Sequence, residues 1–301
     1  MYKFKTISDY HQFVSLPKPE HPLVSLVNYG NLRYPLDLRE IRWTQNYYSI
    51  GLKRNVRGKL RYGQQEYDFD EGILSFIAPQ QVLHVELDQS SPVKATGWLL
   101  LIHPDFLWNT SLARKIKNYD FFGYAVNEAL FMSEKEEHMM IGILKNIQRE
   151  YRSSIDKFSQ NIIVSQIEVL LNYAERYYQR QFITRNIANN RVLSQMEDLL
   201  SGYFDKEEIM EKGLPTVHDA AEQLHMSPNY LSSMLKTLTG LNAQQHIHEK
   251  LIEKAKEKLS TTGLSVSEIA YTLGFEHSQS FSRLFKSKTK LSPLAFRKLY
   301  N

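Results

Sequence analysis

The stretch GFEHSQSFSRLFKSK (274–288) decides how the last third of this 301-residue chain folds. Gly274 is the residue type that enters a left-handed turn without steric cost, and the small Ala270 stands four residues before it. Two short helices that cross closely need that pairing, a side chain that lets the backbones approach and then a turn that redirects the chain. After the turn Ser278 opens a helical pattern with two faces. Phe281, Leu284, Phe285 and Lys288 follow an inner stripe, while Gln279, Ser282, Arg283 and Lys286 recur as i, i+3, i+4, i+7 on the other side.

The same unit occurs a second time upstream. Val217, Ala220, Ala221, Leu224, His225 and Met226 correspond to Val266, Ile269, Ala270, Leu273, Gly274 and Phe275. His225 takes the turn position, less comfortably than glycine, although His is among the residues enriched at positive φ. The repeat is approximate, because one residue more separates turn from anchor in the second copy. Ser227 is expected to be the N-cap of the next helix, with Pro228 at its first position, where a missing N–H costs nothing. Leu231, Leu235 and Leu238 predict its inward stripe, and Asn229, Ser232, Ser233 and Lys236 its outer one.

Both outer stripes lack acids and consist of hydrogen-bonding groups, which is what reading double-stranded DNA requires. Arg donates bidentately to guanine O6 and N7, Asn or Gln bonds adenine N6 and N7, Ser allows close approach, and Lys holds phosphate. One polar helix face is commonly just solvated; two matched faces in matched units point to DNA. Between the units, Ile247, Leu251, Ala255 and Leu259 predict a connector helix from Ala243 to Leu259, roughly 25 Å long. With a helix width added at each end, the outer stripes would lie about 34 Å apart, one turn of B-DNA. Lys250, Lys254 and Lys258 form a basic row on this connector, either a contact to the DNA backbone or a solvated face.

Charge is placed accordingly. Leu214–Asn301 holds eleven Lys and Arg against seven Asp and Glu, whereas residues 1–213 hold 26 of each, so the whole formal net charge of +4 sits at the C-terminal end. A basic segment fused to a neutral one suggests that only the former meets a polyanion. The chain has no cysteine, which removes disulfides, thiolate zinc sites and Cys nucleophiles together. No run of apolar residues is long enough for a membrane span, and MYKFKTISDYHQF at the start lacks the apolar core and cleavage pattern of a secretory signal, so a cytoplasmic place is expected.

Before the linker the sequence reads as α+β. Residues 22–103 are rich in strand formers broken by turns, as in YYSIGLKR (47–54), GKLRYGQQEYDF (58–69), GILSFIAP (72–79), QQVLHVEL (80–87) and VKATGWLLLI (93–102), and predict an antiparallel barrel or sandwich. Helices are expected over about 104–182. The first is opened by a capping box at Ser133 and Glu136 and carries Met139, Met140, Ile143, Leu144 and Ile147. The second aligns Ile163, Ile167, Leu170, Leu171, Ala174 and Tyr178, a stripe that either packs on the sheet or forms a dimer seam. Polar residues 186–191, within TRNIANNR, are expected to be the linker, which sets a first domain at 1–185 and an all-α domain of two helix-turn-helix units at 192–301.

At these residues the sequence resembles the AraC/XylS family of transcription regulators. The resemblance rests on Gly274, Phe275, Phe281, Arg283, Phe285 and Lys286 followed by Ser292, Pro293 and Arg297, and on Ser227, Pro228, Tyr230, Leu231, Lys236 and Gly240 in the first unit. It covers about a hundred residues. Lys250 stands where the family's connector has Arg, Lys290 where it has Gly, and Leu235 where it has Phe. The resemblance implies a cupin-like sensor barrel at the front, dimerisation through helices, a small-molecule effector and, for an activator, contact with RNA polymerase. Cupin metal sites use H-x-H; His84 is alone in its stretch, so neither metal nor cofactor is expected. Trp43, His84 and Trp98 are the candidates to line an effector pocket, although lone aromatic residues on strands are more often core. Competing readings are a constitutive or architectural DNA binder whose front part only dimerises, and a cupin enzyme with a DNA-binding tail; the repair-enzyme variant of the latter needs a nucleophilic Cys.

Overall fold

Two units, Met1–Gln181 and Phe182–Asn301, divide the chain in a computed structural model that describes residues 1–35, 40–54, 72–86, 96–125, 128–153, 156–184, 186–204, 209 and 213–299. In the first unit the described strands are β1 (Tyr2–Phe4), β2 (Val24–Asn28), β3 (Glu40–Gln45), β4 (Tyr48–Arg54), β5 (Ile73–Ile77), β6 (Leu83–Glu86), β7 (Thr96–Ile102) and β8 (Leu130–Phe131). They form two sheets, β1-β3-β6 and β2-β7-β4-β5-β8. No strand is shared between the sheets among the described residues, so the β-rich unit stands as two sheets and the described strands do not by themselves close a barrel. Tyr2–Phe4 pairs in parallel with Trp43–Gln45 and gives β3 a partner of its own. Of the expected strands, residues 58–69 lie outside the described residues.

Alternation along the strands assigns the faces. On the five-stranded sheet, Tyr48, Ile50, Leu52, Leu74, Phe76, Leu100 and Ile102 share one side in register. That side meets helices: Phe76 packs on Phe121 and Tyr178, and Arg54 is ion-paired with Glu137. Gly72 leaves room for that carboxylate, since a Cβ there would fall 2.8 Å from Glu137 Cδ. The other side meets the small sheet and the helix α1 (Ile7–Phe13), where Val27, Leu99 and Leu101 are buried with Phe4, Tyr10, Ile41, Trp43, Tyr47 and Leu83.

After α2 (Leu112–Lys115), the capping box opens α3 (Glu134–Arg152) as the sequence reads: Ser133 Oγ accepts from Glu136 N–H, and Glu136 accepts from Ser133 N–H at 2.8 Å. Met140, Ile143, Leu144 and Ile147 are buried, but Met139 is exposed. In α4 (Ser159–Thr184) the whole stripe from Ile163 to Tyr178 is buried, with Tyr178 against Phe76, Phe121 and Tyr124. Those side chains belong to the core of their own unit, not to a seam between copies.

The expected linker 186–191 differs too. Those residues are the first turns of α5 (Asn186–Phe204), and the division between units falls at 181/182. Asn189 explains this: its side chain is buried and donates 2.6 Å to the carbonyl of Phe182, so a polar residue is consumed by backbone instead of marking a loop. Then come α6 (Val217–Gln223), α7 (Pro228–Thr239), α8 (Ala243–Thr261), α9 (Val266–Thr272), α10 (Ser278–Thr289) and α11 (Pro293–Arg297). Thr216 with Asp219, Asn242 with Gln245, and Ser265 with Glu268 form reciprocal capping boxes that start α6, α8 and α9. The core of the second half joins Leu251, Ile252, Ala255 and Leu259 of the connector to Ile269, Ala270, Leu273, Phe281 and Phe285.

Candidate nucleic-acid interface

Both helix-turn-helix turns have the same backbone. Met226 N–H donates to Ala221 O at 2.9 Å and His225 N–H to Glu222 O at 3.1 Å; Phe275 N–H donates to Ala270 O and Gly274 N–H to Tyr271 O, each at 3.0 Å. This pair of bonds closes a helix when the residue after it is left-handed. His225 has φ 55° and Gly274 φ 85°, as the turn chemistry requires. Ala221 and Ala270 are fully buried at the crossings.

The turns deliver α7 and α10 with their outer stripes to solvent. Ser227 caps α7, its Oγ accepting from Tyr230 N–H at 3.2 Å, with Pro228 following; His277 begins α10 without a side-chain cap. Leu231, Leu235, Phe281 and Phe285 are fully buried. Asn229, Lys236, Gln279, Arg283 and Lys286 are exposed, and Ser232, Ser233, Ser278 and Ser282 are half-buried. Among the described residues, none of those five exposed side chains has a hydrogen-bond or ion-pair partner. Lys288, expected on the inner face, instead pairs with Glu249 of the connector at 3.0 Å.

Acids of this unit are largely engaged elsewhere. Asp219 is held below the usual carboxylate range by the Thr216 hydroxyl and backbone, and Glu268 by the backbone N–H and hydroxyl of Ser265. On α8, Lys250 pairs with Glu253 at 3.1 Å and Lys254 with Glu257 at 3.4 Å, so two members of the basic row are neutralised within their own helix. Burial lowers the pKa of His246 and His248 on the same helix. Arg297 works structurally, donating to Leu259 O at 3.3 Å and Leu264 O at 2.5 Å beyond the connector's C-terminal end.

A further piece of the repeat escaped the sequence reading. Thr239 and Thr289 each donate to a carbonyl four residues back, Leu235 O and Phe285 O, at 2.8 Å, and accept from the N–H of Leu241 and Leu291. Between them Gly240 and Lys290 end the helices at φ 81° and 63°. The signal was present as Thr-x-Leu after each recognition helix. Replacing Lys290 by Gly removes the left-handed strain of a residue with Cβ and adds the unfolded-state entropy of Gly. A net gain of about 0.5–1 kcal/mol is expected in urea unfolding, and a loss would show that the lysine's bond to Ser287 O outweighs its backbone.

The three effector candidates of the first unit do not converge. Trp43 is buried between the sheets, in register with Leu83. His84 is in register with Arg42, on the opposite face of the same small sheet. Trp98 is in register with Leu52 and Asn28, on the helix-covered face of the large sheet. Strand parity therefore corrects the pocket drawn from Trp43, His84 and Trp98. Among the described residues there is no group of three His, Cys, Asp or Glu able to hold a metal ion, and no helix is long and apolar enough to cross a membrane.

The geometry defines a tandem helix-turn-helix domain. A family described as "Helix-turn-helix domain" matches residues 220–299. Among curated proteins, the chain is 31% identical over 147 residues to the HTH-type transcriptional regulator YfiF of Bacillus subtilis (strain 168), covering 48% of this chain and 43% of that protein. It is 34% identical over 109 residues to the HTH-type transcriptional activator RhaS of Salmonella arizonae, covering 36% and 37%. It is 30% identical over 106 residues to the bifunctional transcriptional activator/DNA repair enzyme AdaA of Bacillus subtilis (strain 168), covering 35% and 49%. The chain thus spans less than half the length of each. A solved structure, the C-terminal domain of the response regulator yesN from Fusobacterium nucleatum, is 29% identical and covers 36% of this chain and 98% of that one at a TM-score of 0.32. Residues 220–299 thus form a helix-turn-helix domain similar to those of transcriptional regulators.

Proposed function

We propose that the chain is a sequence-specific, AraC-type DNA-binding transcription regulator that acts in the cytoplasm as a homodimer, responds to a small molecule held by the first unit, and meets RNA polymerase where it activates. One observation carries the DNA half: Asn229, Lys236, Gln279, Arg283 and Lys286 are exposed and unpartnered among the described residues on two matched helices. Each is a group that reads base edges or neutralises phosphate. The connector supports simultaneous engagement of successive major grooves, since its 19 residues span about 28 Å and each recognition helix adds width. Effector response is supported by the family and by the separate β-rich unit; regulators among the relatives include the raffinose operon transcriptional regulatory protein RafR of Pediococcus pentosaceus, 35% identical over 83 residues.

The two lysines provide the experiment. Lys236→Ala and Lys286→Ala are each expected to weaken binding uniformly across DNA sequences and to make the slope of log affinity against log salt shallower by about one unit. Fluorescence anisotropy across a salt series measures both quantities. Unchanged slopes for both variants would remove these side chains from the phosphate contacts, and with them the proposed face.

A further inference from the structure

The likeness between the two recognition helices breaks at one position. Aligned by their outer stripes, α7 and α10 set Leu231 opposite Phe281, both fully buried, and Tyr230 opposite Ser280, each the third residue of its helix. Ser280 is exposed, whereas Tyr230 is only 7% exposed. Tyr230 is therefore covered where its counterpart meets solvent.

The cover is Phe182. Its ring, 2% exposed, meets that of Tyr230 edge to face, with centroids 5.1 Å apart and planes at 77°. That is a favourable arrangement for two aromatic rings, edge of one against face of the other. Phe182 stands in the last turns of α4, is the first residue of the second unit, and lies well upstream of the matched residues 220–299. The buried side chain of Asn189 on α5 donates to its carbonyl, so the backbone that carries the ring is itself tied into this unit.

The second recognition helix is anchored differently. Phe281 and Phe285 continue a chain of rings from Phe275 to Phe296, with successive centroids 5.5, 5.8 and 5.5 Å apart, so its turn and the short helix α11 behind it supply the anchors. After α7 comes the connector α8 in place of such a short helix. The contact from Phe182 falls on the first turn of α7, next to the exposed Asn229. In helix-turn-helix docking the N-terminal residues of the recognition helix are the ones that meet base edges, so a displacement there moves the reading group itself.

We infer that Phe182 is a positioning residue for the first recognition helix: through Tyr230 it sets the tilt at which α7 presents Asn229, and so the affinity for the DNA block read by α7, while the block read by α10 is untouched. This rests on the regulator reading and deepens it, by placing a determinant of specificity outside the helix-turn-helix repeat. The sequence reading left Phe182 in the first domain because it extends the apolar stripe that runs from Ile163 to Tyr178, and nothing local separates the two.

The test uses the full chain, wild type, Phe182→Ala and Phe182→Leu, on a duplex carrying the two blocks that wild type selects from a random pool. The α10 block is the one whose base preference disappears with Arg283→Ala; the other block is scrambled in a second duplex. In fluorescence anisotropy Phe182→Ala is expected to bind the intact duplex about tenfold more weakly than wild type, and the scrambled duplex as tightly as wild type does. Phe182→Leu, which keeps an apolar body against Tyr230, shows the same split at smaller amplitude and carries the test should the alanine variant not fold. A loss that came only from unfolding falls on both duplexes alike. The inference is overturned if both variants bind the intact duplex like wild type, or if they lose as much on the scrambled duplex as on the intact one. Either result leaves wild-type selectivity, and with it the regulator reading, standing; a wild type that selects no blocks removes both.

Discussion

Arg283→Ala is expected to lower affinity for a specific DNA site by about 1–3 kcal/mol and to relax base preference at one position, with non-specific binding reduced far less. The expectation follows from placement: Arg283 is exposed on α10, beside Gln279 and Lys286 on one stripe, and has no partner among the described residues that competes for its guanidinium. A free, planar, bidentate donor on a rigid helix discriminates guanine from other bases because the alternatives leave its N–H groups unpaired. Lys at this position retains charge without the fork, so Arg283→Lys is expected to keep non-specific binding and still lose the base preference. Competition binding against single-base variants of the site separates the two effects; equal losses on all variants would reassign Arg283 to phosphate.

Gly274→Ala is expected to be among the most destabilising single changes in the second unit. Its backbone at φ 85° costs a residue with Cβ about 1–2 kcal/mol. The added carbon would also stand 2.9 Å from Gly213 C and 3.0 Å from Gly213 O, backbone that Tyr203 Oη further fixes by donating to Gly213 O at 2.9 Å. Overpacking against such an immobile neighbour adds about 1–3 kcal/mol. His225, the matched position, shows that the left-handed turn alone tolerates a side chain; it is the close approach of Gly213 that makes the second turn stricter. Urea unfolding of Gly274→Ala and His225→Gly measures the contrast, with the former strongly destabilised and the latter neutral or slightly stabilised. Equal small effects would mean that the backbone at Gly213 yields.

What could be read from residues alone follows the range of the interactions involved. The recognition helices were legible because turn chemistry at Gly274, the cap at Ser227 and the four-residue rhythm of Phe281 and Phe285 are local. Trp43, His84 and Trp98 were not, because whether strand side chains meet depends on register between remote segments, and a one-residue difference sends Trp43 and His84 to opposite faces. The parallel pairing of β1 with β3 was not legible for a similar reason, since nothing near Tyr2 announces its pairing with Trp43. Residues 186–191 misled through composition: Asn189 is polar because it serves a carbonyl at the end of the preceding helix, not because it faces water.

Selection of bound oligonucleotides from a random pool by the full chain bears most directly on the role given to α7 and α10. Enrichment of two short conserved blocks centred about 10–11 base pairs apart is the expected outcome, one of them containing a guanine whose enrichment disappears with Arg283→Ala. A pool that stays unenriched, or that converges on a single block indifferent to Arg283, would contradict it.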